Sequence, residues 1–168
     1  AGGITATFMV ISTIACYNNP NFEGNMLLGY TGMLVAFSFA FVGVKTYRDK
    51  YNGGAITFLQ ALKAAGLITF IGCTFYVGVW LIEYYFFVPD FMEKYVAHVI
   101  KQAQEKGTSQ AELNKQIAEM KEYQQMYKTP WGVILLTYLE PLPIAIVVTL
   151  ATALILKRKP QAAQPVLA

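Results

Sequence analysis

The chain has 168 residues, 55% of them hydrophobic and only 14% charged, with a mean hydropathy of +0.41 and a formal net charge of +3. That balance excludes a water-soluble domain of this size, which needs more polar surface than these residues supply. The apolar residues fall in long runs with polar stretches between them, the pattern that a hydrocarbon slab about 30 Å thick imposes on helices of roughly 20 residues.

The first run, "AGGITATFMVISTIACY" from Ala1 to Tyr17, makes a minimal span of about 25 Å as a helix. It has no basic n-region and reads as a retained span rather than a signal peptide. The numbering opens without an initiator Met or a flanking charge, so a short basic leader is expected ahead of it. The loop "NNPNFEGN" contains no Lys or Arg. The second run covers Asn25 to Tyr47 and passes into "KTYRDKYNGG", which holds Lys45, Arg48 and Lys50, with Lys63 just beyond. Within it, "NGGA" lacks the Lys-Ser or Lys-Thr ending of a phosphate loop and reads as a turn. The third run extends from about Lys63 to Val88, and the fourth from Trp131 to Leu156, followed by Lys157, Arg158 and Lys159.

Between the third and fourth runs, residues 89–130 read as a helical hairpin outside the bilayer. Asp90 with Glu93 resembles a capping box, and Phe91, Tyr95, Val99 and Ala103 recur at helical spacing. Gly107 stops this helix. Ser109 with Glu112 starts the next, whose apolar stripe is Leu113, Ile117, Met120 and Tyr127. Thr129, Pro130 and Trp131 then mark entry to the fourth span.

The expected fold is therefore all-α: a polytopic membrane protein with four transmembrane helices (about 1–17, 25–47, 63–88 and 131–156) and an extracytoplasmic helical hairpin between helices 3 and 4. Residues 1–159 form one domain, and 160–168 a flexible tail. Helices are required because open strands leave backbone groups unpaired in lipid. Lys and Arg near the span ends put both termini and the 45–63 loop in the cytoplasm, and the hairpin in the periplasm. The hairpin's six lysines are diluted over its length and matched by six acids.

In lipid, helices meet through small residues four apart. Gly32, Ala36 and Ala40, flanked by Gly29 and Gly43, make such a stripe on the second span. Ala61, Ala65, Thr69 and Cys73 make one on the third, and Ala145, Thr149 and Ala153 one on the fourth.

Two carboxylates fall inside spans. Glu140 lies roughly 13 Å in from Trp131, and Glu83 roughly 8 Å short of the outer end of its run. An ionisable side chain at such depth costs about 2.5 to 3.5 kcal/mol on insertion scales and is expected to face helices or a wet cavity. Heptad steps back from Glu83 reach Tyr76 and Thr69, which turns Glu83 into the bundle. Pro141 and Pro143 cannot donate to the carbonyls of Thr137 and Leu139, so the fourth span should kink there. The expected candidate site is a polar notch in the outer half of the bilayer, made of Glu83, Glu140, Pro141, Pro143, Tyr76 and Thr137. Two readings of it stand: a hydrogen bond fixing helix register, or a site for a proton, a cation or a lipid head group.

Other chemistry is thin. His98 is the sole histidine, and Cys16 and Cys73 both lie within spans. They give no metal-ligand spacing, and no nucleophile stands with a base and an orienting group, so neither cofactor, metal nor enzyme activity is expected. The positive charge gathers at the cytoplasmic membrane surface, which points to anionic lipid and not to nucleic acid.

The text "YTGMLVAFSFAFVGVKTYRDKYNGGAITFLQALKAAGLI", followed by "WLIEYYFFVPDFMEKY" and "YLEPLPIAIVVTLATALILKRK", resembles the bacterial membrane family designated domain of unknown function 4199. The similarity extends from Ala1 to Lys159, and "YRDKYNGG" with "FLQALKA" is its most specific part. The resemblance implies a small integral protein of the Gram-negative inner membrane with no assigned activity. Two functions remain open at this level. One is a non-catalytic accessory or scaffold subunit, docking to a membrane-protein partner or to its own copies. The other is a small carrier or ion- or lipid-binding protein using Glu83 and Glu140. The lack of a visible internal repeat favours the first.

Overall fold

The computed structural model describes residues 2–19 and 26–158. The expected leader, most of the first loop, Lys159 and the expected flexible tail lie outside the described residues. Seven α-helices make up the described chain: α1 (Gly2–Tyr17), α2 (Met26–Thr46), α3 (Phe58–Phe86), α4 (Phe91–Glu105), α5 (Gln110–Met126), α6 (Pro130–Leu139) and α7 (Leu142–Leu156).

Local chemistry sets most of these ends. α2 runs into one π-helical turn, Tyr47–Tyr51, and the chain then reverses through Gly53 and Gly54 at φ +61° and +78°, a left-handed conformation that glycine reaches without strain. α3 begins five residues earlier than the apolar run, because Thr57 and Gln60 form a full capping box. Gly107, at φ +69°, ends α4 as expected. Ser109 accepts from the Glu112 N–H at 3.4 Å and caps α5. Thr129 accepts from the Gly132 N–H at 3.1 Å and caps α6, with Pro130 in its first turn.

One expected cap does not form. Asp90 makes no side-chain bond to the start of α4. Its carboxylate is taken by other partners: the Tyr17 hydroxyl of α1 donates to Oδ1 at 2.6 Å, and Lys94 Nζ, one turn along α4, lies 3.1 Å from Oδ2. Lys94 also stands 3.7 Å over the centre of the Tyr17 ring. A charge-assisted bond to a neighbouring helix outcompetes an exposed cap, and the end of α1 is thereby tied to the base of the hairpin.

α3 is the central element and packs against α1, α2, α6 and α7, while α7 also packs along α2. The small-residue stripes lie at these contacts. Ala36, Ala40, Ala61, Ala65 and Ala153 are fully buried. A Cβ on Gly32 would stand 2.8 Å from the Phe8 ring, and one on Gly43 would stand 2.9 Å from Ile68, so α1 and α3 approach the α2 backbone through missing side chains. Thr69 and Thr149 share a 2.9 Å hydrogen bond across α3 and α7. Large apolar side chains such as Leu67, Phe70, Phe75, Leu135 and Ile155 point outward. A bundle with small residues inside and large apolar ones outside is inverted relative to a water-soluble protein.

α2 with its π-turn and α3 are each long and apolar enough to cross a membrane. α6 and α7 make a third such element, bent by 44°. The bend falls at Glu140 and Pro141, where the sequence demands it. α1, with 16 residues, is shorter.

Candidate functional site

Polar side chains on apolar helices usually satisfy themselves locally. Ser38, Thr69, Thr74 and Thr137 donate to carbonyls of the preceding turn, at 2.6 to 3.1 Å. The exceptions gather at one end of the bundle, beneath the hairpin.

Thr69, Tyr76 and Glu83 occupy one face of α3 and are all buried, as their heptad spacing requires. Glu83 is only 7% exposed. Thr13 of α1 lies close to its carboxyl group, but Glu83 Oε2 is buried with no hydrogen-bond partner among the described residues. One turn earlier, the indole Nε1 of Trp80 is in the same condition. The Tyr127 hydroxyl lies close to Trp80 and Thr137 without completing a bond to the indole.

Glu140 sits at the break between α6 and α7, on the exposed rim of the bundle, with its Oε2 accepting from the Tyr76 hydroxyl at 2.8 Å. Tyr76 therefore connects the two acids: it is bonded to Glu140 and within electrostatic reach of Glu83 and Tyr127. Pro141 is fully buried and forces the bend that brings Glu140 to Tyr76, whereas Pro143 is exposed on the first turn of α7. Thr137 is buried, but its hydroxyl is used by the Val133 carbonyl at 2.7 Å.

Aromatic rings close the site from the hairpin side. Trp80 meets Phe91 edge-on at 4.9 Å, Tyr84 stacks on Trp80 at 6.1 Å, and Tyr127 meets Tyr84 edge-on at 5.4 Å. The neighbours that act electrostatically on Tyr76 are carboxylates and a tyrosine, and no cation is among them. The arrangement offers two carboxyl groups, tyrosine hydroxyls and an indole N–H in a site closed by rings on the hairpin side and exposed at Glu140.

Sequence reasoning named the acids, Tyr76, Thr137 and the prolines, but missed Thr13, Trp80 and Tyr127. Depth and charge single out an acid in an apolar run. Nothing comparable marks a Thr, Trp or Tyr that matters only because another helix is adjacent. Gly132 was missed for the same reason: a Cβ there would overlap the Met126 carbonyl, so only glycine lets α5 turn into α6 beside the site.

Among protein families, the one described as "Protein of unknown function (DUF4199)" matches residues 1–158. No curated protein and no solved structure matches.

Proposed function

The chain belongs to the DUF4199 family of proteins of unknown function, and from that premise we propose that it is a four-span, non-catalytic protein of the bacterial inner membrane that binds a proton or a small cation between Glu83 and Glu140. The observation that carries this reading is Glu83 Oε2, an oxygen sealed from solvent with no partner. A carboxylate kept only to fix helix register would spend both oxygens on neighbours, as an unpaired buried polar atom costs about 1 to 3 kcal/mol. Glu140, held by Tyr76 at the rim, supplies the exposed end of the site.

The orientation proposed puts both termini in the cytoplasm and the hairpin in the periplasm. Its support is the backbone pairing of Ile56 with Arg158, at 2.8 and 3.1 Å, which brings the basic α2–α3 loop and the basic end of α7 to one face. The hairpin follows the other end of α3. Labelling of single cysteines at Tyr51 and Lys121 by an impermeant reagent in intact cells checks it: Lys121→Cys should react and Tyr51→Cys should not.

Trp80 fluorescence tests the site. In a Trp131→Phe background, emission in detergent should respond to pH or to added monovalent or divalent cations, and Glu83→Gln should abolish the response. A flat native signal, or one unchanged in both Glu83→Gln and Glu140→Gln, would refute the proposal. A second reading, an accessory subunit docking through the hairpin, is favoured by the exposed Tyr95, Tyr123 and Met126 of α4 and α5. It requires a stoichiometric partner protein to co-purify in mild detergent, and to be lost when these three are replaced by Ser.

A further inference from the structure

The opposite end of the bundle carries a separate feature. On the hairpin, three of the six lysines are answered by acids one turn away: Lys94 with Asp90 at 3.1 Å, Lys101 with Glu105 at 3.8 Å and Lys115 with Glu119 at 4.0 Å. At the α2–α3 end the pattern differs. Asp49 is the one acid between Val44 and Gly66, and Arg48 takes it, Nε to Oδ1 at 2.6 Å. Arg48 itself is buried and donates from Nη1 to the Leu156 carbonyl at 3.4 Å, so it works as a clasp between the π-turn and α7. Among the described residues, Lys45, Lys50, Lys157 and Arg158 then have no carboxylate within ion-pair distance.

Two of these cations converge. Lys45 lies in the last turn of α2 and Arg158 follows α7, two ends joined by the bond from Arg48 to the Leu156 carbonyl, and both lie near the Asp49 carboxylate that Arg48 holds. Arg158 is held in place through its backbone, by the two hydrogen bonds to Ile56, and its side chain is exposed. Val42, one turn before Lys45 on α2, and Leu154, in the last turn of α7, are exposed. Tyr47 and Tyr51 are exposed beside them, the latter 78%.

We propose that the exposed basic face at the ends of α2 and α7 binds an anionic phospholipid. Lys45 and Arg158 hold the head-group phosphate, and Val42 and Leu154 line the start of its acyl chains. Charge complementarity selects an anion, and a guanidinium fork suits a phosphate. The apolar surface directly beneath selects a lipid over a soluble anion or an acidic peptide, which would leave Val42 and Leu154 uncovered. Tyrosines at head-group level fit the same occupant. This inference does not depend on Glu83 or on which side of the membrane the face occupies.

The test is lipid retention by the full chain. Protein exchanged into micelles with equimolar phosphatidylethanolamine and phosphatidylglycerol is repurified, and bound lipid is counted by mass spectrometry. Phosphatidylglycerol should be enriched. Lys45→Gln with Arg158→Gln should lower that enrichment by up to about thirtyfold at low salt, from the typical contribution of each basic side chain. Lys101→Gln with Lys115→Gln, an equal charge change on the hairpin, should not lower it. If the first pair fails to fold, as judged by circular dichroism and elution volume, Lys45→Gln alone carries the same expectation at about fivefold. Unchanged enrichment in the Lys45 and Arg158 variants, or an equal loss in the hairpin control, would overturn the proposal. So would displacement of the lipid by millimolar glycerol phosphate, which would make the site one for a soluble phosphate.

Discussion

Replacing Glu83 with Leu is predicted to make the protein more stable while removing its ligand response. The carboxyl group is buried with Oε2 unpartnered, a state that costs about 1 to 3 kcal/mol. Against this stands the nearby Thr13 hydroxyl, and even a formed interhelical hydrogen bond in a membrane protein averages only about 0.6 kcal/mol. Leucine has nearly the same length and no polar atom, so the net gain expected is about 1 to 2 kcal/mol. Reversible unfolding in mixed micelles of mild detergent and dodecyl sulfate, followed by far-ultraviolet circular dichroism, measures it. Glu83→Gln, which keeps shape and polarity, should change stability by less than Glu83→Leu. A loss of more than about 1 kcal/mol in Glu83→Leu would refute the reasoning, because it would show that the carboxylate is a fastener between α1 and α3.

Three further outcomes follow from the packing and the charges. Gly32→Leu drives a side chain into the Phe8 ring and should cost about 1 to 3 kcal/mol in the same unfolding assay, whereas Gly29→Leu, with open space around it, should cost far less. Pro141→Ala restores a backbone donor and should reduce the 44° bend, read as a longer distance between spin labels at Leu135 and Leu154, with the Glu140-dependent part of the fluorescence response weakened. At the joint between α1 and the hairpin, the Tyr17 hydroxyl first, and Lys94 after it, hold the Asp90 carboxyl below the usual carboxylate range. A depressed folded-state value contributes stability above the unfolded pKa of about 3.9 and loses it as pH falls through the lower, folded one. Protection of α4 amides, measured against their intrinsic exchange rates, should therefore fall below about pH 4, and Tyr17→Phe, which brings the folded value back toward the unfolded one, should shrink that fall; a fall unchanged by Tyr17→Phe would remove Tyr17 from the joint.

Much of the helix layout was legible in the sequence because each signal is local. Apolar runs, Gly107, Ser109, Thr129 with Pro130, and the Pro141 break act within a few residues of themselves. The stripes through Ala36, Ala65 and Ala153 were legible because lipid leaves close backbone approach as the main way for helices to meet. The Asp90 cap failed for the opposite reason: its competitor, Tyr17, is far away in the chain.

What the residues determine unaided is the solvent they suit, the helical elements and the presence of two acids in apolar surroundings. Tertiary structure decided which polar atoms those acids meet. It placed Tyr76 on Glu140 and Thr13 against Glu83, and left Trp80 Nε1 and Glu83 Oε2 with nothing. It also joined Arg158 to Ile56, which turned two separate basic stretches into one face. Periodicity tells which side of a helix a residue occupies; which neighbour lies on that side depends on how α1, α2 and α7 are arranged around α3, and no local pattern encodes that.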